Sequence, residues 1–205
     1  MIGDRALAQY CAATYQPGVV WAFQGPTFHA TWTDTEEGPV IAGEGSKSLP
    51  DWGRDFELIG HASFAHPELG LVHAGFNATS DECFDQILAR LAGRSPILTG
   101  HSKAGAEMEM IAAKLALRGI RVLKLSTFGT PRWVFPGNKK PDALLPGELV
   151  GTSYRHYKDI VPEEPEIYRH PATRPTVEIG SGSLLARLDA AGMHHIDGYI
   201  ASLPS

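Results

Sequence analysis

A short apolar strand, a turn of small residues and an amphipathic helix follow one another directly in the middle of the chain. Residues 96–100 (PILTG) have the pattern of a buried strand, and the apolar residues after them recur at helical spacing until Arg118 and Gly119. A second strand is predicted over 120–125. A strand, a helix and a strand with short connections form a βαβ unit, and such units build parallel sheets. The chain is therefore expected to be an α/β protein.

The remaining segments fit the same class. Spacing and turn residues predict a helix over 6–15, strands over 19–23, 28–32 and 40–42, and a last helix from Ile196. Thr79 and Glu82 form a capping-box pattern ahead of an amphipathic helix that ends near Gly93. The segment 133–150 contains three prolines and is interpreted as an excursion on the surface.

Length and composition exclude several classes of protein. The 205 residues fit one domain, 1–205, with 43% hydrophobic and 20% charged residues. The longest unbroken apolar run is 19–23, which is too short to span a bilayer, so no stable membrane insertion is expected. The start of the chain has no signal-peptide pattern. A cytoplasmic location is therefore expected, with export by another route as the alternative.

The net charge and the cysteine content limit which binding partners and cofactors the chain is expected to have. The net charge is −5 and lysine and arginine do not cluster, which argues against nucleic acid. The two cysteines, Cys11 and Cys83, suggest no disulfide scaffold, and no metal-binding spacing occurs. We therefore expect no metal and no cofactor.

The turn after the central strand contains a candidate nucleophile. Residues 100–105 (GHSKAG) place Ser102 between strand and helix, with Gly100 and Ala104 as small neighbours two positions away. This is the context of a nucleophile elbow, in which a serine occupies a sharp turn at the strand end. The pattern is G-x-S-x-A where G-x-S-x-G is usual, and an ordinary βα turn is the alternative.

Candidate partners for this serine follow in the order Ser, Asp, His that such folds use. Asp159 comes after the strand-like residues 154–157, and His194 and His195 directly precede the last helix. The alternatives are a turn aspartate and a solvated histidine pair.

Four segments in sequence order resemble the class 3 lipases, the fungal-lipase-like branch of the α/β-hydrolases. They are 72–76 (VHAGF), 100–102 (GHS), 127–132 (TFGTPR) and 159–162 (DIVP). The resemblance implies an α/β-hydrolase fold, with a mostly parallel sheet and helices on both faces. It also implies hydrolysis of carboxylic esters through an acyl-enzyme.

The same resemblance assigns roles to individual residues. Ser102 would be the nucleophile, Asp159 would orient the base, and His194 would be the base with His195 in reserve. The family uses a backbone N–H after the nucleophile for its oxyanion hole, which here belongs to Lys103. In the family a leucine stands at the position of this lysine, and a glycine at that of the alanine that follows it. His73 and His101, inside these motifs, are interpreted as structural.

Two segments compete for the second oxyanion donor, which the family supplies as F-R-G-[ST] followed by D-W-x-x-D. Residues 22–26 (AFQGP) match better by letters, whereas 40–46 (VIAGEGS) precede the intact DWGRD of 51–55. Pro26 has no N–H to donate, whereas Ser46 has an N–H and a hydroxyl. We therefore predict Ser46 as the donor.

The expected substrate is a small-molecule ester or a lipid. The family's lid follows the oxyanion residue, and here only 47–50 separate Ser46 from the DW pair, which leaves little apolar surface. Soluble short- or medium-chain esters are therefore favoured. The alternatives are an acyltransferase or thioesterase with the same triad, and a non-catalytic binding module of the same fold.

Overall fold

A seven-stranded sheet forms the centre of the molecule. The structure is a computed structural model and describes residues 1–46, 62–157, 159–180 and 194–204. The strands of the central sheet lie in the order β1-β2-β3-β6-β7-β8-β9, and β4 and β5 form a separate two-stranded sheet. The strands are β1 (Phe23–Gln24), β2 (His29–Thr33), β3 (Val40–Gly43), β4 (Ser63–His66), β5 (Gly70–His73), β6 (Ile97–His101), β7 (Lys124–Phe128), β8 (Ser153–His156) and β9 (Thr176–Ile179).

The sheet is mostly parallel, as predicted. Strands β3, β6, β7, β8 and β9 run parallel to one another, and β1 and β2 add an antiparallel edge. Strands β3 and β6 pair with Gly43 opposite Gly100, so both strands end at the same edge of the sheet. The residues that follow them, Ser46 and Ser102, are thereby brought to that edge, which is where α/β sheets bind ligands.

Helices cover both faces of the sheet. The helices are α1 (Asp4–Ala13), α2 (Ala74–Asp81), α3 (Phe84–Leu91), α4 (Lys103–Leu117), α5 (Lys140–Leu144) and α6 (Ile196–Ser202). One hydrophobic cluster lies under α4, with Met108 and Ile111 packed against Leu98 and Leu125 of the sheet. A second cluster on the other face joins α1 and α6 to the sheet. These two faces confirm the predicted α/β-hydrolase architecture.

The predicted capping box is wrong. Thr79 lies inside α2 and Glu82 follows its end, while α3 begins at Phe84 without a side-chain cap. The Glu82 carboxylate instead accepts hydrogen bonds from the backbone N–H groups of Thr27 and Phe28, both at 2.8 Å. The turn between β1 and β2 offers two N–H groups close together, and a carboxylate satisfies both.

Two predicted strands are displaced along the chain. Only Phe23 of the segment 19–23 lies in a strand. The strand predicted over 120–125 begins at Lys124, because the N–H of Ile120 bonds back to the carbonyl of Leu115 and closes the end of α4.

The segment 133–150 is not only a surface excursion. Trp133 and Val134 are fully buried, and Val134 bridges Val72 on one side and Arg169 on the other. The indole N–H of Trp133 donates to buried Glu109 at 2.7 Å. The apolar residues at the start of this segment therefore belong to the core, and its prolines come after them. Among the described residues, no helix combines the length and apolar character needed to cross a membrane.

Candidate active site

Ser102 occupies a strained turn between β6 and α4. Its backbone angles are φ 60° and ψ −135°, a region that side-chain-bearing residues rarely adopt. Its N–H donates to the carbonyl of Phe128 on the neighbouring strand at 2.8 Å. A Cβ on Gly100 would overlap the backbone of Ala104, so the turn can be this tight only with glycine there. The local geometry is that of the predicted nucleophile elbow.

The alanine in place of the usual glycine has room because of a second glycine. A Cβ on Gly43 would lie 2.9 Å from the Cβ of Ala104, closer than side chains approach one another. Strand β3 therefore omits a side chain where the helix adds a methyl group. This accommodates the Ala104 departure in the elbow motif.

Asp159 and His194 form a buried pair at the same edge of the sheet. The Nδ1 atom of His194 lies 2.8 Å from Oδ2 of Asp159, and both side chains are almost completely buried. The hydroxyl of Tyr199 donates to the same oxygen at 2.5 Å, and the N–H of Val161 donates to Oδ1 at 3.0 Å. The carboxylate is thus held by hydrogen bonds at both oxygens. Such support fixes the imidazole with its other nitrogen, Nε2, available to act as a base.

The choice between the two adjacent histidines follows from burial and from this contact. His195 is exposed and stands at the N-cap position of α6, while His194 faces Asp159. The resemblance favours His194 with His195 in reserve, and the structure places His194 in the pair.

Gly129 explains why the TFG segment has glycine at its third position. Its φ is +60°, and a Cβ there would lie 2.8 Å from Cε1 of His194 and 2.9 Å from Oδ2 of Asp159. The absence of a side chain at this position lets the His–Asp pair pack against the end of β7.

His101 and Tyr199 support the pair from behind. The Nε2–H of His101 donates to the backbone carbonyl of His194 at 2.7 Å. Burial, together with the neighbouring His194, holds the pKa of His101 well below its usual range, so His101 is neutral. The structural role predicted for His101 agrees with these contacts. Sequence reasoning missed Tyr199 as a partner of Asp159; the available signals were its place on the apolar face of α6 and its spacing after His194.

Ser46 lines two cavities, and Lys103 lines one of them. Ser46 lines a cavity of about 380 Å³ together with Ser102 and His194. It also lines a second cavity of about 430 Å³ together with Lys103. A Cβ on Gly45 would lie 3.2 Å from the Cβ of Ser102, so the backbone beside Ser46 passes directly against Ser102. The Lys103 N–H is the first of α4, and N–H groups of a first helical turn lack an intrahelical acceptor.

The competing segment 22–26 ends in the turn between β1 and β2. Gly25 packs against Glu82 rather than against Ser102. Thr27, just beyond the segment, lines the second cavity, and its carbonyl accepts from Nζ of Lys103 at 2.8 Å. The DWGRD segment of 51–55, which motivated the choice of Ser46, lies outside the described residues.

The Lys103 side chain is occupied within the protein. Besides Thr27, its Nζ faces Oε1 of Glu107 at 3.1 Å. Burial raises the pKa of Glu107 to about 7, with Lys103 opposing the rise. Within the described part of the chain, no group of three or more histidine, cysteine and acidic residues could hold a metal ion.

A strained serine at a strand–helix turn, beside a buried histidine–aspartate pair at the same sheet edge, defines an α/β-hydrolase with the groups of a serine hydrolase. The family model "Lipase (class 3)" matches residues 40–168, more than half of the chain. The chain therefore belongs to the class 3 lipase family and is a serine ester hydrolase. The matched range contains Ser102 and Asp159 but ends before His194.

Solved structures share this fold. One is a fungal lipase, 21% identical, covering 88% of this chain and 80% of its own, with a TM-score of 0.68. The triacylglyceride lipase of Rhizomucor miehei is 20% identical, covers 86% of this chain and 78% of its own, and has a TM-score of 0.67. A triacylglycerol lipase whose catalytic centre is a serine protease triad is 20% identical, covers 86% and 76%, and has a TM-score of 0.62. A comparison with curated proteins found no match.

Proposed function

We propose that Ser102, His194 and Asp159 are the catalytic triad and that the enzyme cleaves soluble short- or medium-chain esters. The observation that carries the proposal is the buried His194–Asp159 pair, whose histidine lines the same cavity as the strained Ser102. A serine and a histidine on one cavity, with a carboxylate bonded to that histidine, support a mechanism of acyl transfer to water.

In the proposed reaction, Ser102 Oγ attacks the ester carbonyl while Nε2 of His194 takes the hydroxyl proton. The carbonyl oxygen becomes an oxyanion, which the N–H groups of Ser46 and Lys103 bind. The C–O bond to the alcohol then breaks, and the imidazolium gives its proton to the leaving alkoxide. Water, deprotonated by the same imidazole, attacks the acyl-enzyme and releases the acid. Asp159 holds the Nδ1–H tautomer throughout and stabilises the imidazolium.

The groups that line the two cavities support a small ester. Around Ser102 the described lining combines polar groups, among them Tyr15, Gln16 and Asp197, with apolar side chains such as Ile196. The second cavity contains Glu44 and Lys103 beside Phe76. A small polar ester fits such a mixed lining, and the few residues between Ser46 and the DW pair support the same substrate class.

A chain-length series of nitrophenyl esters tests both parts of the proposal. The expected result is highest kcat/KM for acetate to hexanoate, a steep fall for longer chains, and loss of kcat by several orders of magnitude in Ser102→Ala. A kcat in Ser102→Ala within about tenfold of wild type would contradict the triad. A preference for emulsified long-chain esters would contradict the substrate class.

A fluorophosphonate probe and a thioester series separate the remaining functions. Labelling of Ser102, located by peptide mass spectrometry, identifies an activated serine, and its absence would indicate a binding module. Thioesters turned over faster than the matched oxygen esters would indicate a thioesterase. Acyl products that go mainly to an added alcohol would indicate an acyltransferase.

The oxyanion assignment has its own pair of variants. Ser46→Ala keeps the backbone N–H and removes only the hydroxyl, so kcat should fall by less than the roughly 10²–10³-fold cost of a whole donor, with KM little changed. Pro26→Ala, in the competing segment, should be neutral. The reverse order of effects would move the donor to that segment.

A further inference from the structure

We propose that Tyr15 is a positioning residue whose hydroxyl packs against the Gly45–Ser46 loop and, through His101, hydrogen-bonds the turn at Ser102 to the loop of the proposed catalytic base. The inference rests on the proposed function, since it assigns a role within that site. Tyr15 follows the last turn of α1, and it comes from a part of the chain that none of the site motifs includes.

The hydroxyl of Tyr15 lies between His101 and the backbone of Gly45. Its oxygen lies 2.8 Å from Nδ1 of His101, and it packs so closely on Gly45 that a Cβ at that glycine would overlap it. Burial, with the nearby Cys11 and Glu44, raises the pKa of Tyr15, so the hydroxyl keeps its proton. Tyr15 therefore has a proton to donate to Nδ1 of His101.

The direction of each bond is fixed by the next. Because the carbonyl of His194 can only accept, the proton of the neutral His101 ring must be on Nε2. Nδ1 of His101 is then an acceptor, which matches the hydroxyl proton of Tyr15. The hydrogen bonds run from the Tyr15 hydroxyl through His101 to the His194 carbonyl, with a donor facing an acceptor at both steps. Consecutive hydrogen bonds of one direction polarise and strengthen one another.

These contacts connect the three parts that must keep their relative positions. Gly45 precedes Ser46, His101 precedes Ser102, and His194 is the proposed base itself. The Tyr15 ring also packs edge-on against the His101 ring, with centroids 5.8 Å apart. The Gly45 position admits no other residue, because a Cβ there would overlap the Tyr15 hydroxyl. Loss of the Tyr15 hydroxyl would therefore leave the Gly45–Ser46 loop and the loop of His194 without the contact that they share.

The test is Tyr15→Phe, which keeps the ring and removes the hydroxyl. Active sites are counted by titration with a fluorophosphonate, and kcat is expressed per titrated site. We expect kcat per site to fall by about ten- to a hundredfold, the size of effect that small misplacements of catalytic groups produce, with KM nearly unchanged. A residue that only stabilises the fold would reduce the number of titrated sites and leave kcat per site unchanged.

Tyr154→Phe is the matched control. The Tyr154 hydroxyl donates to Asp4 at 2.6 Å, and this tyrosine does not line the cavity around Ser102. Like Tyr15→Phe, the Tyr154→Phe variant loses one partly buried hydrogen bond. Its stability should therefore fall, while its kcat per site should stay at the wild-type value. Wild-type kcat per site in Tyr15→Phe would overturn the inference.

A second pair of variants covers the case in which Tyr15→Phe does not fold. His101→Gln retains an N–H that can reach the His194 carbonyl, whereas His101→Leu has a similar size and no donor. The glutamine variant should keep a higher kcat per site than the leucine variant, and equal values would overturn the inference. Wild-type enzyme that the probe does not label would overturn the proposed function as well, which separates the two failures.

Discussion

The backbone strain at Ser102 predicts an unusual order of stability among variants that lack its hydroxyl. Ser102→Ala and Ser102→Gly both remove the hydroxyl, so they differ only in the Cβ and in backbone freedom. At an unstrained buried position, glycine is expected to be less stable than alanine by about 1.5 kcal/mol, from chain entropy and one lost buried carbon. At φ 60° and ψ −135° alanine additionally carries about 2 kcal/mol of strain, which glycine relieves.

The two contributions nearly cancel, and strain is slightly the larger. We therefore expect Ser102→Gly to be as stable as Ser102→Ala or more stable by about 0.5 kcal/mol. The comparison is made by urea denaturation of both inactive proteins. In thermal denaturation, the roughly 2 kcal/mol between the strained and unstrained expectations corresponds to about 4–8 °C for a chain of this size.

Ala106→Gly is the reference for an unstrained position. Ala106 is fully buried in α4, four residues after Ser102, and has regular helical surroundings. It should lose about 1.5 kcal/mol. If Ser102→Gly falls below Ser102→Ala by as much as Ala106→Gly falls below wild type, the serine carries no strain and the reasoning is refuted.

Four further changes test other contacts of the site. Asp159→Asn should present an amide N–H to its histidine partner and select the wrong tautomer, lowering kcat about 10⁴-fold with the fold intact by circular dichroism; a fall below about tenfold would count against the pair. Tyr199→Phe removes a hydrogen bond to the same carboxylate and should cost about 1–3 kcal/mol in urea denaturation; an unchanged midpoint would argue against it. Gly43→Ala should lower the free energy of unfolding by about 1–3 kcal/mol, because the new methyl group crowds Ala104. The double variant with Ala104→Gly should regain part of that stability in urea denaturation, whereas additive losses would contradict the contact. Burial raises the pKa of Glu107 from 4.5 to about 7, so between these pH values the folded protein holds a proton that the unfolded chain releases. The free energy of unfolding should therefore fall as pH rises through that interval. Glu107→Gln should flatten this fall in a pH series of denaturation curves, and an unaltered slope would refute the raised pKa.

Patterns within short segments of the sequence were sufficient to predict the turn at Ser102 and the position of Asp159. The elbow was predictable because its requirements lie within six residues: an apolar strand, small neighbours on both sides of Ser102, and a helix directly after it. Asp159 was predictable because a strand precedes it and the order of triad residues is restricted in this fold. Two adjacent histidines share nearly the same position in the chain. The choice of His194 therefore depended on the resemblance, and the structure adds the contact with Asp159.

The supporting contacts were not predictable, because each joins residues that are distant in sequence. Tyr15 meets His101 across 86 positions, and Tyr199 meets Asp159 across 40. Glu82 was misread for the same reason, since its true partner is the turn at Thr27. A capping pattern records only neighbours along the chain, while a carboxylate near an unrelated turn can satisfy that turn's N–H groups equally well.

The alanine in the elbow shows how a departure from a motif should be judged. A consensus glycine at this position indicates that the backbones of the helix and of the neighbouring strand approach closely. Either of these two backbones could be the one that lacks a side chain. Here the methyl is on Ala104 of the helix, and the vacant position is Gly43 of strand β3. Gly43 pairs with Gly100 in the parallel register, so the glycines on the two strands and the alanine on the helix meet at one point. The requirement for a missing side chain therefore applies to strand β3 and helix α4 together. An alanine in the helix disturbs the turn only when the facing strand position also has a side chain.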